Sequence, residues 1–311
     1  MKPSKFVHWG LEAEARAGYE CQVVRTYERY SSIFLLEDIC KIVVMTLRRE
    51  QYILSVLGPR LEMWSRGLPS TFCEREKAYL HSHVHRYAEV LEEFGKRTGI
   101  ERVLDIGALY GHIAIVLKGL GYDLQAIDIA NPKTKYLEER FRMESIDFRT
   151  HDVCDGFPYS DDWFDAVLFC DVLEHLSEPI SCLREIRRVL RRGGYLFLTT
   201  PNLSSLYNRI RLLFGKSCLA PTKPAPEGWL RSDVGFGHLH EYTSAEIFSI
   251  LSACRFSKIQ IRLVNSMAKT TSRYPRLAKF LYLSVSMVYP SFRDTILCTA
   301  EKPTESLTQD K

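Results

Sequence analysis

The chain has 311 residues, 46% of them hydrophobic and 26% charged, with a formal net charge of +4. That composition allows a sizeable core and excludes a low-complexity or intrinsically disordered chain. A charge this small for the length excludes partner binding by bulk electrostatics alone, so any basic surface has to be local.

The nine cysteines contain no C-x-x-C pair, which predicts buried thiols in a reducing compartment. Trp9, Glu12 and Glu14 arrive before any apolar run, so no secretory leader is expected and the expected location is the cytoplasm.

Residues 1–30 have mixed polarity and are expected to be irregular. Phe34, Leu35, Ile39, Ile42, Val43, Leu47, Ile53, Val56 and Leu57 then recur at helical spacing until Gly58-Pro59, where the pattern predicts a stop. This is one long helix, or two with a break near Arg48. Glu37, Asp38 and Lys41 make its start too charged to span a bilayer. A second helix is predicted from Glu74 to Gly95, with Leu80, Val84, Tyr87, Leu91 and Phe94 on one stripe. His81 and His85 on it have a metal-compatible spacing, but no acid or cysteine cluster accompanies them in sequence. They are expected to lie on a solvated face. Residues 1–98 are thus expected to form an N-terminal helical extension, followed by one domain over 99–302.

Val103, Leu104, Asp105 and Ile106 predict a buried strand, Gly107 to Gly111 a ligand loop, and Ile113, Ile115, Val116 and Leu120 a helix packed back on the sheet. Gly107 is expected to let the backbone approach a ligand, and Gly111 to let the helix sit close on the strand. The spacing is G-x-x-x-G rather than G-x-G-x-x-G, which argues against a nicotinamide dinucleotide. A second strand, Tyr122 to Asp128, ends on an acid placed to accept both hydroxyls of a ribose, or else to serve as a turn aspartate before Asn131-Pro132. Pro132 to Arg142 is predicted helical and Ile146 to Arg149 a third strand, leading into His151-Asp152-Val153.

Phe164 to Cys170 is the fourth strand, followed by Asp171-Val172-Leu173-Glu174-His175-Leu176. The next helix is expected to end on a glycine cap at Gly193-Gly194, with a fifth strand from Tyr195 to Thr199. Arg184, Arg187, Arg188, Arg191 and Arg192 crowd that helix end, where cations suit the dipole. Lacking interleaved aromatics, they predict no nucleic-acid partner. An insertion over about 203–240 begins helical and turns rich in proline and glycine, and Trp229 and Phe236 within it suggest a lid. Thr243 and Glu246 form a capping box for a helix to Ala253. Ile259 to Val264 and Asp294 to Ala300 are the last strands, separated by an insertion over about 265–292. Its segment from Pro275 to Tyr289 has a basic start and an apolar body, which suits a wall of the domain or peripheral contact with a membrane. Residues 303–311 are expected to be a disordered tail.

Taken in order, these motifs resemble the class I S-adenosyl-L-methionine (AdoMet) methyltransferases. Asp105-x-Gly107-x-x-x-Gly111 is similar to their D-x-G-x-G-x-G, with Leu109 standing where a glycine is usual. Phe164-Asp165-x-Val167, the apolar strand and Val172-Leu173-Glu174-His175-Leu176 resemble the quinone-biosynthesis type. The resemblance runs from about Arg102 to Lys302. It implies an α/β fold, a Rossmann-like seven-stranded class I methyltransferase sheet with its last strand antiparallel, and AdoMet as cofactor. It also implies Asp105, Gly107 and Gly111 at the methionine end, Asp128 at the ribose, Asp152 and Val153 at the adenine, and Asp171 beside them.

The absence of N-P-P-Y after the fourth strand favours oxygen over nucleobase or amide nitrogen acceptors and leaves carbon open. The expected activity is therefore O-methylation of a small or lipid-linked metabolite. The alternative is a non-catalytic protein of this fold acting through a partner. A hydroxyl acceptor needs a base, for which His238 ranks ahead of His175, with His240 a further candidate. Asp171, Glu174 and His175 also resemble the E-x-x-E-H metal set of some quinone O-methyltransferases, with aspartate in the first place. No metal is expected here.

Overall fold

The computed structural model describes residues 34–66, 68–130, 134–218, 238–265, 282, 284–286 and 288–304. The sequence readings for 1–33, the lid core 219–237 with Trp229 and Phe236, most of 266–287, and 305–311 lie outside these. The chain divides into two compact units, Met1–Thr98 and Gly99–Lys311.

In the first unit, helix α1 (Phe34–Trp64) runs straight through the predicted stop at Gly58-Pro59. Gly58 has no Cβ to meet the proline ring, and nothing lies within 4 Å of where one would stand. Arg60 Nη1 donates to the Val56 carbonyl at 2.9 Å, which supports the turn beside the bond that proline cannot make. Helix α2 (Ser70–Gly95) buries the predicted stripe of Leu80, Val84, Tyr87, Leu91 and Phe94. His85 is not on a solvated face: its Nδ1 lies 2.7 Å from Glu50 Oε1 and its Nε2 lies 3.8 Å from Glu89 Oε1.

The second unit is built on a seven-stranded sheet of order β3-β2-β1-β4-β5-β7-β6. Strands β1 (Arg102–Ile106), β2 (Asp123–Asp128), β3 (Asp147–Thr150), β4 (Phe164–Cys170) and β5 (Leu190–Pro201) pair in parallel. Strand β7 (Thr295–Glu301) runs antiparallel between β5 and β6 (Ser257–Val264), as expected for the last strand. Helices α3 (His112–Gly119), α4 (Thr134–Met143), α5 (Pro179–Val189), α6 (Leu206–Leu213) and α7 (Ser244–Ala253) accompany it. Leu104, Ile106, Val167 and Phe169 of the central strands share one core with Leu183 and Ile186 of α5 and Ile247 and Leu251 of α7. Thr243 and Glu246 form the predicted capping box at the start of α7.

The glycine cap predicted after α5 is absent. The helix ends at Val189 and the strand begins at once, with Leu190 paired to Phe164 and the register resuming at Ala166 and Tyr195. Arg191 to Gly194 form the resulting bulge. Gly193, at φ 72°, donates its N–H to the Lys302 carbonyl at 2.8 Å, and Lys302 returns one to Gly194 at 2.9 Å. Ladder bonds to the end of β7 outweigh a local cap here.

Arg187, Arg188, Arg191 and Arg192 are hydrogen-bonded within the domain. Arg188 reaches Glu185, Asp161 and the carbonyls of Phe157 and Tyr159, and Arg191 reaches Asp165 and the Gly99 carbonyl. The seven described cysteines are free thiols. Cys182, Cys254 and Cys298 are buried as expected, whereas Cys154 is exposed. Among the described residues, no helix is long and apolar enough to cross a membrane.

Asp165 ties the start of β4 to the start of β1. Its Oδ2 accepts the N–H groups of Glu101 at 2.9 Å and Arg102 at 2.8 Å, while Oδ1 accepts from Arg191. Burial raises its pKa, but the two amides and the guanidinium outweigh that and hold it below the usual carboxylate value. Its contribution to stability is thus complete above the ordinary aspartate pKa and is lost as pH falls through the lower folded value. Asp165→Ala should cost about 1–3 kcal/mol in a denaturant titration, because it strands buried donors. A loss under about 0.5 kcal/mol would remove Asp165 from this role.

Candidate functional site

The loop after β1 takes three left-handed residues in five: Gly107 at φ 68°, Leu109 at φ 45° and Gly111 at φ 72°. A Cβ on Gly107 would stand 2.3 Å from Val172 Cγ2, and one on Gly111 would stand 2.5 Å from the Phe141 ring. The close approaches are therefore to the chain itself: Gly107 to the residue after Asp171, and Gly111 to α4 rather than to the strand. The Gly107 and Ala108 N–H groups donate to the Ile127 carbonyl at 2.9 and 3.3 Å. Leu109 tolerates a conformation that costs an L residue about 1–2 kcal/mol. Its N–H donates to Asp128 Oδ2 at 2.7 Å. Buried Arg140 of α4 donates to the Tyr110 carbonyl at 3.3 Å.

Asp128 ends β2 nearly buried, and its Oδ1 accepts the Ile129 N–H at 2.7 Å. Asp105, 2% exposed on neighbouring β1, has no hydrogen-bond partner for Oδ2. Burial first, and the charge of Asp128 second, push its carboxyl up to about 8. A buried acid facing a second acid calls for a cation, and AdoMet carries both an ammonium and a sulfonium. This orphan oxygen is the feature that fits such a cofactor.

Asp152 is exposed, accepts the Cys154 N–H at 2.9 Å and opens the short helical turn Val153–Asp155, with Val153 half-buried against the core. Asp171 follows β4 at φ 54° and accepts from Thr199 Oγ1 at 3.0 Å. Val172 then covers Gly107, and the turn Leu173–His175 begins.

That turn brings the two rival base candidates into one site. Glu174, 1% exposed, accepts from Thr200 Oγ1 at 3.0 Å, and its carbonyl accepts the N–H of Leu239 at 2.8 Å. The segment bonded there carries His238, whose ring centroid lies 5.1 Å from that of His175 at an interplanar angle of 70°. Glu174, His175 and His238 each offer a ligand atom, all within 4.8 Å of one another. Among the described residues Asp171 is not in this group, so the E-x-x-E-H resemblance survives only in its last two places. His240 is exposed, 4.5 Å from the Tyr242 ring and 3.9 Å from Glu246, and lies outside the group.

Sequence reasoning missed two residues. Buried Glu241 stands 3.0 Å from His238 Nδ1, and its other oxygen accepts from buried Asn208 of α6 at 2.7 Å. The three-residue step from His238 to Glu241 was a legible sign of a turn contact. Asn208, in a different element, carried none.

A sheet of this order, with an acid-bearing strand turning through a glycine loop at its centre, defines a class I methyltransferase domain. Residues 104–198, just under a third of the chain, match the family model described as a methyltransferase domain. Over 104 residues it is 35% identical to a ubiquinone biosynthesis O-methyltransferase of Xanthomonas campestris pv. campestris, covering 32% of this chain and 43% of the relative. It is 36% identical, over the same shares, to one from Xanthomonas oryzae pv. oryzae. The chain thus spans less than half the length of these relatives. A solved SAM-dependent methyltransferase from Archaeoglobus fulgidus shares the fold, with a TM-score of 0.51, 17% identity, and coverage of 75% of this chain and 100% of that one.

The Asp105 carboxyl gives a pH prediction. A raised folded value favours the folded state fully below the ordinary aspartate pKa, and the advantage disappears as pH rises toward about 8. Unfolding of the ligand-free chain, followed from pH 5 to 8, should show this declining component. Asp105→Asn should flatten it and raise stability at the upper end. An unchanged slope would refute the burial argument.

Proposed function

We propose that this chain transfers a methyl group from AdoMet to a hydroxyl oxygen of a small or lipid-linked acceptor. The observation that carries the proposal is the Glu174, His175 and His238 group. It stands directly beyond Val172, which packs on Gly107 of the cofactor loop, at the carboxyl edge of the sheet where ligands bind in open α/β folds. The relatives named O-methyltransferases support the oxygen acceptor. Exposed Leu213, Phe214, Val288 and Tyr289 support an acceptor with an apolar portion. Val288 and Tyr289 fall in the segment 275–289, for which the sequence leaves open a wall of the domain or peripheral membrane contact.

When bound, AdoMet supplies an activated methyl on a sulfonium, so the chain mainly has to align, hold and deprotonate. Asp105 would face the cationic end, Asp128 the ribose, and Asp152 and Val153 the adenine, with Asp171 bordering the loop. Orientation of this kind contributes about 7–11 kcal/mol. His238 would accept the hydroxyl proton, a step contributing about 10²–10⁴ in rate. His175 lines the acceptor side of the same space.

Calorimetry with AdoMet should give saturable binding. Asp128→Ala should weaken it by about 1–3 kcal/mol, since it removes acceptors for a neutral diol and releases the Leu109 amide. Wild-type affinity in that variant would sink the ribose assignment, and silence in the native chain would leave a non-catalytic protein of this fold.

With an accepted hydroxyl compound in hand, His238→Ala should lower the single-turnover rate at least about 100-fold, and more than His175→Ala does. A loss under about tenfold for both, with the fold intact, would leave alignment as the sole source of rate.

A further inference from the structure

A neutral histidine can take a proton only on the ring nitrogen that carries a lone pair, and the partner of the other ring nitrogen decides which that is. His238 Nδ1 lies 3.0 Å from Glu241 Oε1, and the Glu241 side chain is 6% exposed. Its Oε2 accepts from Asn208 Nδ2 at 2.7 Å. Asn208, 5% exposed, also donates to the Asn202 carbonyl at 3.2 Å. Asn202 in turn donates to the Arg293 carbonyl at 2.7 Å, just beyond the end of β5. A row of polar groups, most of them buried, therefore runs from the sheet edge to the imidazole, and each oxygen of the carboxylate meets one donor.

We infer that Glu241 is a positioning residue for the proton acceptor: with Asn208 it holds His238 as the Nδ1–H tautomer and leaves the lone pair on Nε2. The inference rests on the O-methyl transfer proposed above and adds how its base is made ready. A carboxylate can only accept, so it imposes this polarity on His238 as long as it stays ionised. Asn208 contributes by occupying the second oxygen, which fixes the carboxylate in one rotamer. The same arrangement is the one by which carboxylates orient histidines elsewhere.

Glu241→Gln tests the polarity at nearly constant shape. The Asn208 amide still requires an acceptor, so the new side chain keeps its oxygen toward Asn208 and turns its NH₂ toward Nδ1. That forces the proton to Nε2. Nitrogen-15 shifts of His238, read at alkaline pH without any substrate, should report Nδ1–H in the native chain and Nε2–H in the variant.

Adding Asn208→Asp to Glu241→Gln reverses the second bond and should return His238 to Nδ1–H. In turnover, Glu241→Gln should lower kcat by about 100-fold with the KM for AdoMet within about threefold, and the double variant should recover at least about tenfold of that loss. A native chain in the Nε2–H form, or a Glu241→Gln variant that keeps Nδ1–H, overturns the inference. A native chain in the Nδ1–H form that turns over no hydroxyl acceptor leaves the positioning standing and refutes the O-methyl transfer.

Discussion

The hydrogen bond from the Leu109 amide to Asp128 is the contact on which the cofactor end depends. Two of the three left-handed residues in the loop are glycines, for which that backbone is inexpensive. Leu109 is not, and a charge-assisted bond of about 1.5–3 kcal/mol is of the size needed to hold it there. The bond is charge-assisted when Asp128 is ionised. That charge is also the second cause of the raised Asp105 carboxyl, so the interaction that shapes the loop also sets up the need for a cation beneath it. Loop geometry and cofactor electrostatics are one arrangement.

The Glu174, His175 and His238 group is tied to this loop through β4 and β5. Val172 sits where a side chain on Gly107 would have to go, so loop and turn cannot move independently. Successive threonines of β5 then hold the two acids that follow β4: Thr199 bonds Asp171 and Thr200 bonds Glu174. Adjacent residues of a strand face opposite sides of a sheet, so one strand end braces both. The Glu174 carbonyl extends the chain of contacts to Leu239, and thereby positions His238 beside His175. Choosing between these histidines from sequence was a choice between two members of one site.

What the sequence disclosed was whatever depends on local pattern. Phe164 to Cys170 has the predicted bounds because Ala166 to Cys170 is a short apolar run rich in strand formers, and the Thr243 and Glu246 capping box is a four-residue signal. The hidden features depend on neighbours far along the chain. Gly58-Pro59 stays helical because Gly58 has no Cβ to meet the proline ring and the Arg60 side chain supports the turn. Gly193 and Gly194 serve a bulge because Lys302, more than a hundred residues on, supplies the bonds. Gly107 seemed to await a ligand, and only the fold brings Val172 against it. Asn208 and Glu241 are polar residues in two separate segments, and their pairing has no sequence period at all.

The family match ends at residue 198, and that boundary has a physical meaning. It encloses Asp105, the glycine loop, Asp128, Asp152 and Asp171, the groups proposed for the cofactor, together with Glu174 and His175 of the turn after β4. Asn202, Asn208, His238 and Glu241 all lie beyond it. The buried row from Asn202 to His238 lies in a stretch that the shared pattern does not describe, yet its carboxylate and amides are satisfied with the care reserved for costly buried groups. Polar groups buried at such expense outside the matched stretch are where this chain's own chemistry is to be sought, and Glu241 stands at their centre.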